Sequence, residues 1–285
     1  MCFKREVNVC YTPVSNAGDS INPLIVDKVM GYIPKCTNQL ECDISGIGSG
    51  LRRFFVNEND KKNPDTIIYL NNRHILKDQE IILWSAGFIN TPNDNETPIS
   101  NRFKIASVRG NLSKKHVNKI IGKDADCTVG DGGLLASKLI KNNKVKKYRL
   151  GIIPHRSEKG EGIYRQIRDE NRNSVIIDIE SDNVLDMLKI ISECEVIISS
   201  SLHGLIFADS FCIPNKHVVL TDKLSGDGFK FKDYYSTYDL EDKPQNLNIN
   251  SVIDIDSIQN EYCITWEKIF KLQMDIMEAF RKFLW

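Results

Sequence analysis

Apolar positions along the chain come in short runs that break on glycine, serine or histidine, and most breaks lead into a stretch with apolar residues three and four apart. EVNVCYT, residues 6–12, reads as a first strand. SNAGDSINPLIVDKVMGYI follows as a polar, Gly-containing turn that opens a helix. LECDISGIGSGL repeats the form, with an apolar run, a Gly-rich turn and a predicted helix, and IILWSAGF repeats it again. FKIASVRGNLSKKHVNKII predicts a strand, a turn and a helix with Ser113 as N-cap.

The polar stretch KNNKVKKYR lacks periodicity and marks a domain boundary near residue 145. A second alternating series begins there. LGIIPH, SVIIDIES and KHVVLTD read as strands, DNVLDMLKIISEC as an amphipathic helix, and EVIISSSLHGLIFADSFCIP as strand, turn and helix. The segment 256–285 reads as helical, with Trp266, Ile269, Phe270, Ile276, Met277, Phe280 and Phe283 forming an apolar stripe. Strands alternating with helices predict parallel sheets built from βαβ units. The expected fold is therefore α/β, with Rossmann-like domains at 1–145 and 146–255 facing across a cleft and a last helix, 256–285, returning to the first. In such sheets ligands bind at the carboxyl ends of the strands, where the turns named here fall.

Composition narrows the picture. Among 285 residues the 38 basic and 38 acidic side chains cancel, so no nucleic acid or other polyanionic partner is expected. The cysteines Cys2, Cys10, Cys36, Cys42, Cys127, Cys194, Cys212 and Cys263 form no C-x-x-C pair and read as buried, reduced thiols. The N-terminus shows no apolar leader, and no run reaches the roughly 18 apolar residues of a membrane span. A cytoplasmic protein is expected, at most touching the inner face of the cytoplasmic membrane. The aromatics of the last segment either pack on the first domain or meet such a surface. His74, His116, His155, His203 and His217 show no metal-ligand spacing, so no metal and no cofactor are expected.

Candidate chemistry gathers at the strand ends. Ser199-Ser200-Ser201-Leu202-His203-Gly204 joins an apolar strand to a helix whose N-terminus favours an anion; the serines could equally cap the helix and His203 bond a neighbouring strand. His155-Arg156 leaves another strand end as an anion clamp, or as a solvated loop before SEKGEG. Asn16-Ala17-Gly18-Asp19 leaves the first strand, with Asp19 as a general base or a helix cap. Arg109 ends a strand and faces either solvent or the cleft. GDGFKFKDYY brings Lys230 among aromatics, as a flap over a sugar or as a packed loop.

Taken in order, N-x-G-D at Asn16–Asp19, GIGSG at Gly46–Gly50, WSAGF at Trp84–Phe88, SVRG at Ser107–Gly110, GDGGLL at Gly130–Leu135, IPHRS at Ile153–Ser157, IISSSLHGLIFAD at Ile197–Asp209 and GFKFKDYY at Gly228–Tyr235 resemble the polysaccharide pyruvyltransferase family. The resemblance implies a GT-B-like pair of domains, with phosphoenolpyruvate on the second domain as donor, a sugar or glycan acceptor, free or lipid-linked, on the first, and a pyruvate ketal as product, in bacterial exopolysaccharide, capsule or lipopolysaccharide synthesis. On this reading His203 and Asp19 are catalytic. Ser200, Ser201, Gly204, His155, Arg156, Arg109 and Lys230 hold the donor, and Asn16, Gly18 and Trp84 hold the acceptor. Two positions depart from the pattern. Ser201 stands where many members have arginine, so the donor's charge falls to Arg156, Arg109 or Lys230. Ser85 stands where many have glycine, and is expected to narrow the cleft. A GT-B glycosyltransferase using a nucleotide sugar and a non-catalytic carbohydrate-binding relative are the alternative functions.

Overall fold

The computed structural model describes residues 4–93, 95–141, 145–224 and 226–284. Part of the boundary stretch near 145 and the end of the last segment, Trp285, lie outside them. Among the described residues two five-stranded sheets form, each parallel throughout. The first contains β1 (Glu6–Cys10), β2 (Ile33–Thr37), β3 (Ile44–Ser45), β4 (Glu80–Leu83) and β5 (Arg102–Ile105), in the order β2-β1-β3-β4-β5. The second contains β6 (Tyr148–Ile153), β7 (Ser174–Ile176), β8 (Cys194–Ser199), β9 (Asn215–Val219) and β10 (Gln245–Asn246), in the order β7-β6-β8-β9-β10. Both repeat one doubly wound plan, in which the first strand is flanked by the second and third. The strand order reverses between the first and third strands, and the crevice at that switch point is where such sheets bind ligands.

The helices are α1 (Ala17–Leu24), α2 (Pro64–Leu76), α3 (Asn111–Ile121), α4 (Gly162–Glu170), α5 (Val184–Ser192), α6 (Leu202–Ser210), α7 (Phe229–Ser236), α8 (Ile255–Glu261) and α9 (Trp266–Leu284). Pro23 lies inside α1, which continues as a π-turn segment, Ile25–Met30, and stops at Gly31 in the left-handed region. One apolar cluster runs from Val9, Ile21 and Trp84 through Leu134 and Leu135 to Ile206, Phe207, Ile276 and Phe280, so the two sheets share a continuous core.

Several expectations change. The Gly46–Gly50 turn leads into a single 3-10 turn, Leu51–Arg53, rather than a helix. Asn22 explains the turn's shape: its amide accepts from Ile47 N–H at 2.7 Å and donates to Ile47 C=O at 3.1 Å. The N-cap of α3 is Gly110, because Ser113 is turned inward, where its hydroxyl donates to Asp233 at 2.7 Å. The Lys230 segment is a helix, α7, with Phe229, Phe231 and Tyr234 buried. The last segment divides at residues 262–265 into α8 and α9. Ile269, Ile276, Met277 and Phe280 pack inward, whereas Trp266 and Phe270 face outward at 63% and 52% exposure. Cys36, Cys212 and Cys263 are exposed rather than buried. No helix among the described residues is long and apolar enough to cross a membrane.

Candidate functional site

The carboxyl ends of both switch points open onto one cavity of about 490 Å³. From the first sheet come Cys10, Tyr11 and Thr12 after β1, the Gly46–Gly50 turn after β3, Arg52 and Arg53, and Asn16 and Asp19 at the start of α1. From the second come His155 and Arg156 after β6, Ser201, Leu202 and His203 after β8, and Lys230 from α7.

The cavity is cationic overall: Arg52, Arg53, Arg156 and Lys230 line it with two carboxylates, Asp19 and Asp65. Asp19 lies in the first turn of α1, whose cap is Asn16: the Asn16 side chain accepts from Gly18 N–H at 3.0 Å. Burial raises the Asp19 pKa to about 6, against the pull of Arg53, Arg156 and the Thr12 amide. Lys230 is 7% exposed, and its ammonium has no carboxylate partner among the described residues. Burial, with Arg109 and Arg156 nearby, lowers its pKa to about 8. Arg156 is exposed at the mouth. Burial, Lys230 and Arg156 lower His155 to about 4. Cationic side chains outnumber carboxylates in the lining, an arrangement that an anionic ligand completes.

His203 stands in the first turn of α6, with its ring packed against Gly18 of α1. A Cβ on Gly18 would come within 2.0 Å of His203 Nδ1. Gly18 thus seats the imidazole rather than touching an acceptor. The buried Nε2 has no hydrogen-bond partner among the described residues. Burial, Arg109 and Lys230 lower the His203 pKa to about 3. Ser201 caps α6 and lines the cavity without a side-chain cap bond.

Four residues expected at the ligand lie elsewhere. Trp84 is fully buried; its indole N–H donates to Ile276 C=O at 3.1 Å and its ring meets Phe280 edge-on, so it fastens α9 to the first sheet. Arg109 is also fully buried and already committed: Nε donates to Asp233 at 2.9 Å, Nη1 to Ser49 at 2.8 Å and Nη2 to Phe88 C=O. Gly87 and Gly110 leave room for this pairing, since a Cβ on either would collide with Arg109 or Asp233. Gly204 packs on Ser199 and Ile153 behind the cavity wall. Ser200 is turned inward, accepting from the His155 N–H at 2.8 Å and meeting Tyr164 OH at 3.0 Å. Ser85 does not narrow the cleft. It is fully buried at φ 55°, a left-handed conformation that explains glycine at this turn, and its hydroxyl lies 3.3 Å from Ser107 Oγ and Gly130 C=O.

Arg53, Asp233 and Glu158 were not found from sequence. Arg53 follows a turn with no charge pattern, Asp233 meets Arg109 from 124 residues away, and Glu158 sits in a run that reads as solvated although it is fully buried. Among the described residues no group of three or more His, Cys, Asp or Glu side chains is gathered as for a metal ion.

Comparison with known proteins places the chain beside a described family, a curated relative and a solved structure. A family model for polysaccharide pyruvyl transferase matches residues 4–215. An uncharacterized protein of Acanthamoeba polyphaga mimivirus is 29% identical over 187 residues, 61% of this chain and 65% of that protein, so the match spans slightly under two thirds of the relative. A solved structure of a Listeria monocytogenes protein described as a UDP-N-acetylglucosamine 2-epimerase aligns over 97% of this chain and 91% of that one, at 10% identity and a TM-score of 0.47.

Proposed function

This chain belongs to the polysaccharide pyruvyl transferase family, and from that premise we propose that it moves a pyruvyl group from phosphoenolpyruvate onto two hydroxyls of a sugar, forming a pyruvate ketal in glycan synthesis. The observation that carries the reading is the cavity itself: Lys230 and Arg156 on the side of the second sheet, Asp19 on the side of the first, and the His203 imidazole beside them.

The chemistry asks for these groups. The methylene carbon of the enol gains a proton, leaving a cationic centre at C2. A sugar hydroxyl attacks C2, the bond from C2 to the phosphate oxygen breaks, and phosphate leaves. A second hydroxyl then closes the ketal. The two hydroxyl protons balance the one taken up by carbon and the one carried away by phosphate. Lys230 and Arg156 hold the donor's phosphate and carboxylate, with the His155 ring alongside and the positive end of α6 at Ser201 behind them. Asp19 takes the first hydroxyl proton; a carboxylate raised to about 6 is matched to that task near neutrality. His203 is the proton donor or a phosphate ligand. The donor's negative charge favours the protonated ring, against the burial and the cations that lower its pKa.

The test is incubation with phosphoenolpyruvate and a panel of free and lipid-linked glycosides, read by mass for the ketal and by released phosphate. Product is expected, and His203→Ala is expected to lower turnover at least about 10²-fold with the fold intact. Thermal stabilisation by UDP-sugars and none by phosphoenolpyruvate would replace this reading with glycosyl transfer. Donor binding without product on any acceptor would point to a non-catalytic relative.

A further inference from the structure

Glu158 lies three residues beyond His155, outside the cavity, and is fully buried. Neutral donors hold its carboxylate. Thr221 N–H and Oγ1 donate to Oε1 at 2.9 and 2.7 Å, and Tyr164 OH donates to Oε2 at 2.7 Å. Burial pushes this carboxyl up, but the bonds from Thr221, Ser200 and Tyr164 outweigh it and hold the pKa below the usual value. An ionised carboxylate only accepts, and that fixes the direction of everything attached to it. Tyr164 has one hydroxyl hydrogen, committed to Glu158, so the Ser200 hydroxyl, 3.0 Å from the Tyr164 oxygen, has only acceptors before it, Tyr164 and Glu158 itself. The Ser200 oxygen is then left to accept from the His155 N–H at 2.8 Å. The other arm, through Thr221, reaches the segment between β9 and α7, the helix that carries Lys230.

We propose that Glu158 is a positioning residue for the donor clamp, tying the His155–Arg156 turn to the segment leading to Lys230 so that both cationic arms are set before the donor arrives. This rests on the function proposed for the same cavity. It also accounts for Ser200, whose hydroxyl hydrogen serves the relay and not the ligand. Glu158→Gln keeps the size of the side chain but removes its charge and puts an NH₂ toward Tyr164, so the Tyr164 and Ser200 hydroxyls must reverse and both arms lose their charge-assisted bonds.

The experiment measures steady-state kinetics with both substrates and titrates inorganic phosphate into the wild type, Glu158→Gln and the milder Tyr164→Phe. For Glu158→Gln the KM for phosphoenolpyruvate and the Kd for phosphate are expected to rise about tenfold, with kcat and the acceptor KM changed less than about threefold. Tyr164→Phe cuts one arm only and is expected to raise the donor KM about threefold. It also supplies the answer if Glu158→Gln does not fold. Folded variants with an unchanged donor KM, or a loss confined to kcat, would overturn the positioning role while the transferase reading stood. A wild type that binds neither phosphoenolpyruvate nor phosphate would remove both.

Discussion

At the scale of single residues, the proposed reaction rests on two groups held away from their ordinary protonation. Asp19 must be ionised to accept a proton, and Lys230 must be protonated to hold an anion. With pKa values of about 6 and about 8, kcat/KM for phosphoenolpyruvate should rise as pH passes through 6 and fall as it passes through 8. Lys230→Arg replaces the ammonium with a group that stays charged, so the alkaline fall should disappear from the pH–rate profile. An alkaline limb that stays in place would assign it to another group. Some of this was legible in the sequence. His203, His155 and Arg156 follow apolar strands directly, and a strand end in an α/β sheet is where ligands sit. What was not legible is which polar atoms were already spoken for. Ser200 and Arg109 stand at equally good positions, but their partners Tyr164 and Asp233 lie 36 and 124 residues away, and no local pattern announces them.

At the scale of elements, β6 and β8 were legible as continuous apolar runs buried on both faces, and β1 by the alternation of Val7 and Val9 with Glu6 and Asn8. The sequence does not announce α2, whose apolar residues mark no single face, with Ile67, Leu70 and Ile75 exposed, or α4, which buries only Ile163, Tyr164 and Ile167 among charges. Helix α7 was read as a flap or loop because FKFK alternates with period two, which is not a helical signature. Its place is fixed by tertiary bonds: Asp233 accepts from the N–H and hydroxyl of Ser113 as well as from Arg109. Arg109 therefore acts on the site through α7. Arg109→Met should leave the Asp233 carboxylate buried without its cation and cost about 3–5 kcal/mol in urea denaturation. Little loss of stability with a large rise in the donor KM would instead mean that the guanidinium faces the ligand.

At the scale of the whole molecule, two copies of one sheet plan meet so that their switch points face each other, and the shared core keeps them there. Trp84 bonded to Ile276 ties the C-terminal helix to the first sheet, Gly18 against His203 joins α1 to α6, and Ser113 with Asp233 joins α3 to α7. The ordering that a hinged enzyme postpones until its ligand arrives has already taken place when this chain folds. Titration calorimetry should register that history. Phosphoenolpyruvate entering a polar chamber already at its working width covers little hydrocarbon, so its binding heat should hardly vary with temperature, by less than about 0.2 kcal/mol/K. A steep variation would mean that the halves swing together around the donor.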